Sequence, residues 1–264
     1  ARLRVLCQMG HITDKIELIV SGGTFLEYPK SYQIWYLTQA LRALNDNDKL
    51  REKHCEELIA QYHKIGISNE PENCESFVED LQNAVNQGKE NYSSAFAKLY
   101  LQDKAWKSTK VFHENASLED NFEQQDINKV GQHRVVGLVV ETRPDTINPE
   151  NLKFLRCLGC TKIQIGVQSL DPNILSCCGK KEINGKSPLE NVENAFALLR
   201  EYGFKSHCHF MLNLPQATPK LDKLGYIKLV SDKRFLPDEI KIYPCSLVAG
   251  TKLEQMYKDN LWCP

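Results

Sequence analysis

The stretch Val135-Val136-Gly137-Leu138-Val139-Val140-Glu141-Thr142-Arg143-Pro144-Asp145 decides the fold of this chain. It begins as a β-branched, uncharged run, which is typical of a strand buried on both faces of a parallel sheet. Pro144 has no N–H group, so the strand must end before it. The charged side chains therefore follow the carboxyl end of a buried strand, which is where barrel-like α/β folds carry their functional groups.

The same pattern of a strand followed by a helix recurs along the chain. Further strands are predicted at 15–20, 161–169, 204–212 and 239–244, and helices at 32–44, 148–158, 191–202, 221–230 and from 253. Repeated strand–helix units imply a parallel sheet with right-handed crossovers. We predict an α/β fold over residues 1–264, namely a partial (β/α) barrel with a helical insertion. A doubly wound open sheet is the alternative.

Composition narrows the class of protein. The chain has 264 residues, of which 42% are hydrophobic and 25% charged, as in ordinary globular domains. The net charge of −1 gives no electrostatic reason to expect a nucleic acid or a membrane as the partner of the whole molecule. The sequence has neither an apolar run of the roughly 20 residues that a membrane helix needs nor a visible secretory signal. We therefore expect no membrane association and a cytoplasmic location.

Residues 45–128 differ from the rest by being rich in Asn, Gln, Glu and Lys. Apolar residues at helical spacing predict several amphipathic helices there, so this segment is interpreted as a helical insertion within the barrel. Its charges fit a solvated face or, alternatively, a docking surface. Lys104, Lys107 and Lys110 near Trp106 fit either a solvated helix face or a basic-aromatic patch that binds RNA.

Polar residues follow each predicted strand, and parallel connectivity would bring all of them to one rim. The candidates for that rim are Gly22, Gly23 and Thr24, Glu141 and Arg143, Gln168 and Ser169, Asn213, and Lys241. Paired glycines allow a turn that exposes N–H groups to a ligand. A carboxylate can accept hydrogen bonds from two ribose hydroxyls, and an amide can both donate and accept. This mixture suits a zwitterionic or nucleoside ligand.

Each candidate also has a structural explanation. Arg143 can pair with Asp145, and Gln168 can cap the following helix. His207 and His209 alternate along one strand and are more simply interior histidines than metal ligands. The Cys157-Leu-Gly-Cys160 pair lacks a second pair at metal-site spacing, so buried thiols are favoured over a metal site, and no metal ligand is assigned.

The motifs resemble a known family. The segments KIELIVSGGTF (15–25), VGLVVETRPD (136–145), IQIGVQS (163–169), Leu214-Pro215 and PDEIKIYP (237–244) resemble the radical S-adenosylmethionine (SAM) domain of the Elongator catalytic subunit, the tRNA uridine(34) acetyltransferases. They occur in order and span nearly the whole chain except 45–128. The resemblance implies a radical SAM type of barrel.

The resemblance also implies a chemistry. In that family a [4Fe-4S] cluster reduces S-adenosylmethionine to a 5′-deoxyadenosyl radical, which activates an acetyl group from acetyl-CoA for addition to carbon 5 of the wobble uridine of tRNA. By position, Gly22, Gly23 and Thr24 would meet the methionine end of the cofactor. Glu141 would face its ribose, Gln168 would bond to the cofactor, and Lys241 would lie near it as the candidate catalytic residue. The implied partners are tRNA and, in addition, Elongator-type subunits or a second copy of the chain.

The chain departs from the family pattern in several places. Three closely spaced cysteines that would hold the cluster are absent, so the cluster ligands are expected outside this sequence and the fragment alone is expected to be inactive. Asn213 stands where the family usually has aspartate, and Lys180 or Lys181 stands near its usual arginine. Two alternatives stay open: another radical SAM enzyme, and a non-catalytic tRNA-binding or assembly protein that has lost the cluster.

Overall fold

The computed structural model describes residues 2–22, 24–64, 75–96, 98, 115–183 and 185–264. The chain divides into two compact units, one formed by Ala1–Tyr28 and Val135–Pro264 and the other by Pro29–Arg134. No helix within the described ranges is long and apolar enough to cross a membrane. Gly23 and the basic-aromatic segment 104–110 lie outside the described residues.

A five-stranded sheet forms the first unit. Its strands are β1 (Lys15–Val20), β2 (Arg134–Thr142), β3 (Lys162–Gln168), β4 (Lys205–Leu212) and β5 (Glu239–Pro244). They lie side by side in sequence order, and the pairs β2–β3, β3–β4 and β4–β5 are parallel. A doubly wound sheet would reverse its strand order at a switch point, so this order excludes the alternative. The sheet is a half-barrel of parallel strands with helices, so the predicted α/β fold, a partial (β/α) barrel, is confirmed.

Helices follow the strands as the sequence predicts. In chain order they are α1 (Arg2–Gln8), α2 (Lys30–Asn45), α3 (Asp48–Lys64), α4 (Glu75–Asn86), α5 (Tyr92–Phe96), α6 (Leu118–Lys129), α7 (Pro149–Cys157), α8 (Pro172–Cys177), α9 (Pro188–Glu201), α10 (Pro219–Ser231) and α11 (Lys252–Lys258).

Four of these helices begin with the same kind of residue pair, in which a residue whose side chain caps the helix is followed by proline. The pairs are Asn148-Pro149, Asp171-Pro172, Ser187-Pro188 and Thr218-Pro219. Each cap accepts a hydrogen bond from a backbone N–H group of the first turn, and proline occupies a position whose N–H would have no helical partner. The sequence thus fixes where the chain turns from a strand into a helix.

One side of the sheet packs against the helices and forms the apolar core. Ile163, Ile165 and Phe210 are completely or almost completely buried there, together with Leu152 of α7 and Phe196 of α9. The expectation that 135–140 is buried on both faces is only partly met. Val136 is 60% exposed, because pairing of β2 with β3 begins only at Val139. Burial is complete at Leu138, Val139 and Val140.

The second unit is helical and is held by α2 and α6. Asn121 Nδ2 donates to Thr38 Oγ1 over 3.1 Å in a buried position. Asn45 Nδ2 donates to the backbone oxygen and to Oε1 of Gln124 at 2.9 and 3.0 Å. The unit therefore includes α2 as well as the predicted helices, and the insertion boundaries 45–128 stay a prediction.

Candidate active site

The face of the sheet opposite the helices is polar. Phe210 points towards α10, because its ring lies 3.2 Å from the position that a Cβ atom on Gly225 would take. Since side chains alternate along a strand, His207 and His209 point to the other face. Alternate residues of the neighbouring strands share that face: Glu17, Glu141, Lys162, Gln164, Glu239, Lys241 and Tyr243.

A buried lysine occupies the end of this face near the strand starts. Lys162 Nζ lies 2.6 Å from Glu17 Oε1 and 2.9 Å from both carboxylate oxygens of Glu239, and its side chain is only 7% exposed. Burial alone would lower the pKa of Lys162, but the hydrogen bonds that its ammonium donates to Glu17 and Glu239 outweigh burial and raise the pKa. The hydrogen bond from Lys162 lowers the pKa of Glu239. The charged forms therefore stabilise one another.

Two histidines, His207 and His209, lie in the middle of the polar face. His207 Nδ1 lies 3.2 Å from Glu239 Oε2, but neither ring nitrogen is aligned for a hydrogen bond within the described residues. His209 Nε2 lies 3.1 Å from Gln164 Oε1, and its ring packs at 5.5 Å against Tyr243. Burial lowers the pKa of both histidines, although Glu239 and Glu141 oppose the effect. Both imidazoles are therefore held neutral near pH 7.

The rim begins with a contact between two predicted site residues. The backbone N–H of Gly22 donates to Glu141 Oε2 over 3.1 Å, so the turn after β1 meets the carboxylate at the end of β2. Gly22 has φ of 98°, a conformation that side chains rarely adopt. Thr24 follows in extended backbone before a short 3-10 turn at Phe25–Glu27.

Arg143 is occupied by two carboxylates. Its Nε and Nη2 atoms donate to Asp145 at 3.0 and 2.7 Å, and Nη2 also lies 2.6 Å from Glu27 Oε1. The bond to Asp145 contributes most to the raised pKa of the guanidinium. The structural explanation for Arg143, a pair with Asp145, is therefore observed. Any part in cofactor binding stays a prediction.

Residues at the carboxyl ends of β3 and β4 show unusual backbone conformations. Gln168 and Asn213 have φ of 69° and 58°, and such strain in residues other than glycine is concentrated at functional sites. Asp171 rather than Gln168 caps α8, and Ser169 Oγ accepts from Asp171 N at 3.1 Å. The Gln168 amide thus has no hydrogen bond within the described residues and is available to a ligand.

Asn213 and Lys241 differ in the contacts that their side chains make. Asn213 Nδ2 donates to the backbone oxygen of Cys263 at 2.9 Å, and the backbone oxygen of Asn213 accepts from Trp262 Nε1 at 2.8 Å. Lys241 is exposed, is the register partner of His209, and lies over the ring of Tyr243 at 5.2 Å. Gly22, Glu141, His209 and Lys241 thus follow one another across the polar face. Within the described residues, no hydrogen bond joins Gln168 to Glu141.

Sequence reasoning missed the buried part of this face. Glu17, Lys162 and Gln164 lie on strands that were predicted, yet none was named as a site residue. The signal was the alternation of Lys162 and Gln164 on β3 and of His207 and His209 on β4, which places polar side chains on one face of each strand.

No group of three or more His, Cys, Asp or Glu within the described ranges is placed to hold a metal ion. Cys160 is fully buried, its thiol donates to the carbonyls of Leu138 and Lys162, and burial raises its pKa to about 12. Cys157 is exposed, contrary to the expectation that both thiols are buried. These residues do not fit an iron–sulfur cluster, whereas the oxygen and amide groups of the rim fit the polar ends of S-adenosylmethionine.

Comparison with known proteins defines the class. Residues 114–223 match the Radical SAM superfamily, and proteins of that class use S-adenosylmethionine and a [4Fe-4S] cluster.

The relatives define the type within the class, and the resemblance to the Elongator catalytic subunit family is confirmed. The chain is 31% identical over its full length to a tRNA uridine(34) acetyltransferase of Dehalococcoides mccartyi, of which it covers 41%. It is 24% identical over 98% of its length to Elongator complex protein 3 of Homo sapiens, of which it covers 34%. The solved structure of archaeal Methanocaldococcus infernus Elp3 with an N-terminal deletion matches all of this chain and 44% of that chain, at a TM-score of 0.66 and 27% identity. The chain therefore spans well under half the length of the relatives it matches.

Proposed function

We propose that this chain is the radical SAM part of an enzyme that uses acetyl-CoA to modify carbon 5 of the wobble uridine of tRNA. The likeness to tRNA uridine(34) acetyltransferases over the full chain supports the substrate class. The hydrogen bond from Gly22 N–H to Glu141 is the observation that carries the cofactor site, since it joins the two motifs expected to hold the cofactor. Acetyl-CoA, tRNA and Elongator-type partner subunits, or a second copy of the chain, belong to this proposal.

The rim residues have distinct roles in the proposal. Glu141 accepts hydrogen bonds from the ribose hydroxyls, while Gly22 and Thr24, together with Gly23, bind the methionine end. The amide of Gln168, which has no hydrogen bond within the part of the chain that the structure describes, donates to or accepts from the cofactor. Ser169 and Asn213 support the backbone on either side. When bound, S-adenosylmethionine supplies radical chemistry that a polypeptide lacks, and the protein binds, orients and shields it.

Lys241 is the proposed catalytic residue. It is exposed at the polar face beside His209, and it lies on the strand that ends at Pro244. A lysine ammonium there can orient an anionic or carbonyl group of a substrate. Arg143, held by Asp145 and Glu27, acts in the proposal by keeping the loop after β2 in place beside Glu141.

The test uses the full reading frame. The protein is reconstituted with iron and sulfide without oxygen, and 5′-deoxyadenosine is measured with and without tRNA and acetyl-CoA. Formation of 5′-deoxyadenosine that requires tRNA supports the proposal. Its absence from cluster-loaded protein overturns the enzymatic part. Binding of tRNA that weakens with salt separates a tRNA enzyme from a radical enzyme with a small substrate.

A further inference from the structure

The turn after β1 carries three of the predicted cofactor contacts, and its two ends are tied to the loop after β2. At the first end, the backbone N–H of Gly22 donates to Glu141 Oε2 over 3.1 Å. At the other end, Glu27 Oε1 lies 2.6 Å from Nη2 of Arg143. Between them Phe25, which begins the 3-10 turn, is only 4% exposed and is packed in the core. The turn is therefore attached at three places.

Arg143 can hold Glu27 in one direction because its guanidinium is itself fixed. Its Nε and Nη2 atoms donate to the two carboxylate oxygens of Asp145 at 3.0 and 2.7 Å, and the Asp145 side chain is only 14% exposed. Such a bidentate pair sets the plane of the guanidinium. An ordinary surface ion pair must order two long side chains, whereas here one of the two is ordered already.

Glu27 is connected to Thr24 through the backbone. The N–H of Glu27 donates to the carbonyl oxygen of Thr24 over 3.0 Å, which closes the 3-10 turn. That oxygen has a second lone pair, and the Thr24 side chain makes no capping hydrogen bond to the turn. A carbonyl oxygen accepts from an ammonium group, and a hydroxyl donates to a carboxylate. The position of Glu27 therefore determines where two groups suited to an amino acid are presented.

We infer that Glu27 is a positioning residue of the cofactor site, whose ion pair with Arg143 holds the turn after β1 in the conformation that binds the amino-acid end of S-adenosylmethionine. This inference rests on the proposed function, because it assigns a support to the turn that this function places at the methionine end. Glu27 acts through Thr24 and does not contact the cofactor. Glu141, at the ribose, lies within β2 and is held by the pairing of that strand with β3, so it does not depend on Glu27.

Two ligands that differ at the amino-acid end separate this role from a general structural one. S-adenosylhomocysteine has that end, and methylthioadenosine lacks it. The affinity of each is measured by calorimetry on the full-length, cluster-loaded protein. We expect Glu27→Gln to weaken binding of S-adenosylhomocysteine about three- to fivefold, as for loss of an ion pair at a partly exposed site, and to leave the affinity for methylthioadenosine within about twofold. A general loss of structure would weaken both ligands alike.

Two further variants show whether the ion pair is responsible. Glu201→Gln makes the same exchange at an exposed glutamate at the end of α9 and should leave both affinities unchanged. Arg143→Gln should weaken binding of S-adenosylhomocysteine at least as much as Glu27→Gln. The double variant should bind this ligand no more weakly than Arg143→Gln alone, because the two side chains act through one contact. Additive losses would overturn the ion pair as the support.

A second measurement needs no ligand. Hydrogen exchange of the backbone amides is followed by mass spectrometry in a peptide that covers residues 20–28. The N–H groups of Gly22 and Glu27 both donate hydrogen bonds there. Their exchange should be about threefold faster in Glu27→Gln than in the wild type, since the turn opens more often without the ion pair. Exchange in Glu201→Gln should match the wild type.

The outcomes distinguish this inference from the proposed function. Wild-type protein that binds neither ligand overturns the cofactor site, and the inference with it. Normal wild-type binding with equal losses of both ligands in Glu27→Gln, or with no loss of S-adenosylhomocysteine binding, overturns the positioning role and leaves the cofactor site standing. Unchanged amide exchange in Glu27→Gln likewise overturns the positioning role alone.

Discussion

Glu17 on the first strand and Glu239 on the last strand bind the same ammonium group, that of Lys162 on the middle strand. The three residues thus join β1, β3 and β5 across the polar face of the half-barrel. A half-barrel lacks the closing strand pairs that fix the curvature of a complete barrel. A charged link between its two ends holds the curvature on the face that carries the candidate site.

We predict that Lys162→Met destabilises the protein by about 1–3 kcal/mol. Breaking a buried ion pair costs roughly 3–5 kcal/mol, and the cost is smaller here because Glu17 and Glu239 are nearly half exposed and are partly compensated by water. Urea denaturation followed by circular dichroism measures the change. Lys153→Met, on the exposed side of α7, is the control, and equal stability of the two variants would contradict the role of Lys162.

The predictable part of this fold is local. Apolar runs identified all five strands, and Pro144 and Pro244 marked where two of them end. The starts of α9 and α10 were predicted two or three residues late, because the cap-proline pairs Ser187-Pro188 and Thr218-Pro219 were not used. Those pairs are visible in the sequence, so this error was avoidable.

The contacts that the sequence does not predict depend on the register between neighbouring strands. That Lys162 meets Glu17 and Glu239, and that Arg143 meets Glu27, depends on how the strands align, and no local pattern encodes such alignment. Asn213 was predicted from its place after β4, yet its hydrogen bonds go to Trp262 and Cys263. Contacts between distant segments of this kind require the folded structure.

We predict that stability falls as the solution is acidified from pH 7 to pH 5.5. Burial lowers the pKa of His207 and His209, so the unfolded chain binds protons below its ordinary histidine pKa of about 6.5 while the folded protein does not. The contribution of the two neutral histidines to the free energy of unfolding is therefore present in full above that pH. It decreases below that pH, with a slope of up to roughly 1.4 kcal/mol per pH unit for each histidine.

Urea denaturation at pH 7.0 and 5.5 measures this dependence. His207→Gln should make the stability less sensitive to pH within this window, because one buried histidine no longer titrates. His11→Gln, at an exposed histidine, controls for the removal of a histidine as such. An unchanged pH dependence in His207→Gln would show that His207 has the same pKa in the folded and unfolded states, and would contradict the prediction.

We predict a favourable coupling of about 1 kcal/mol between Arg143 and Asp145, as expected for a bidentate pair at a partly exposed site. Burial would raise the pKa of Asp145, but the hydrogen bonds from Arg143 outweigh burial and lower it. A double-mutant cycle with Arg143→Gln and Asp145→Asn measures the coupling from the free energies of unfolding. Additive single effects would mean that the pair contributes nothing to stability.

We predict that Gly225→Ala lowers stability, although alanine normally favours a helix over glycine by about 1 kcal/mol. Gly225 lies within α10, and an added Cβ would be 3.2 Å from Phe210 Cζ and 3.6 Å from Cε2. Phe210 is only 1% exposed, so its ring has no room to withdraw, and overpacking of this kind costs about 1–3 kcal/mol.

The control for this prediction is the same substitution in a Phe210→Leu background. A leucine leaves space for the new methyl group, so Gly225→Ala should there stabilise the protein through helix propensity alone. The free energy of unfolding from urea denaturation of the four proteins gives the sign in each background. A stabilising effect in both backgrounds would mean that α10 moves away from β4 at little cost, and would contradict a close packing of that helix on the sheet.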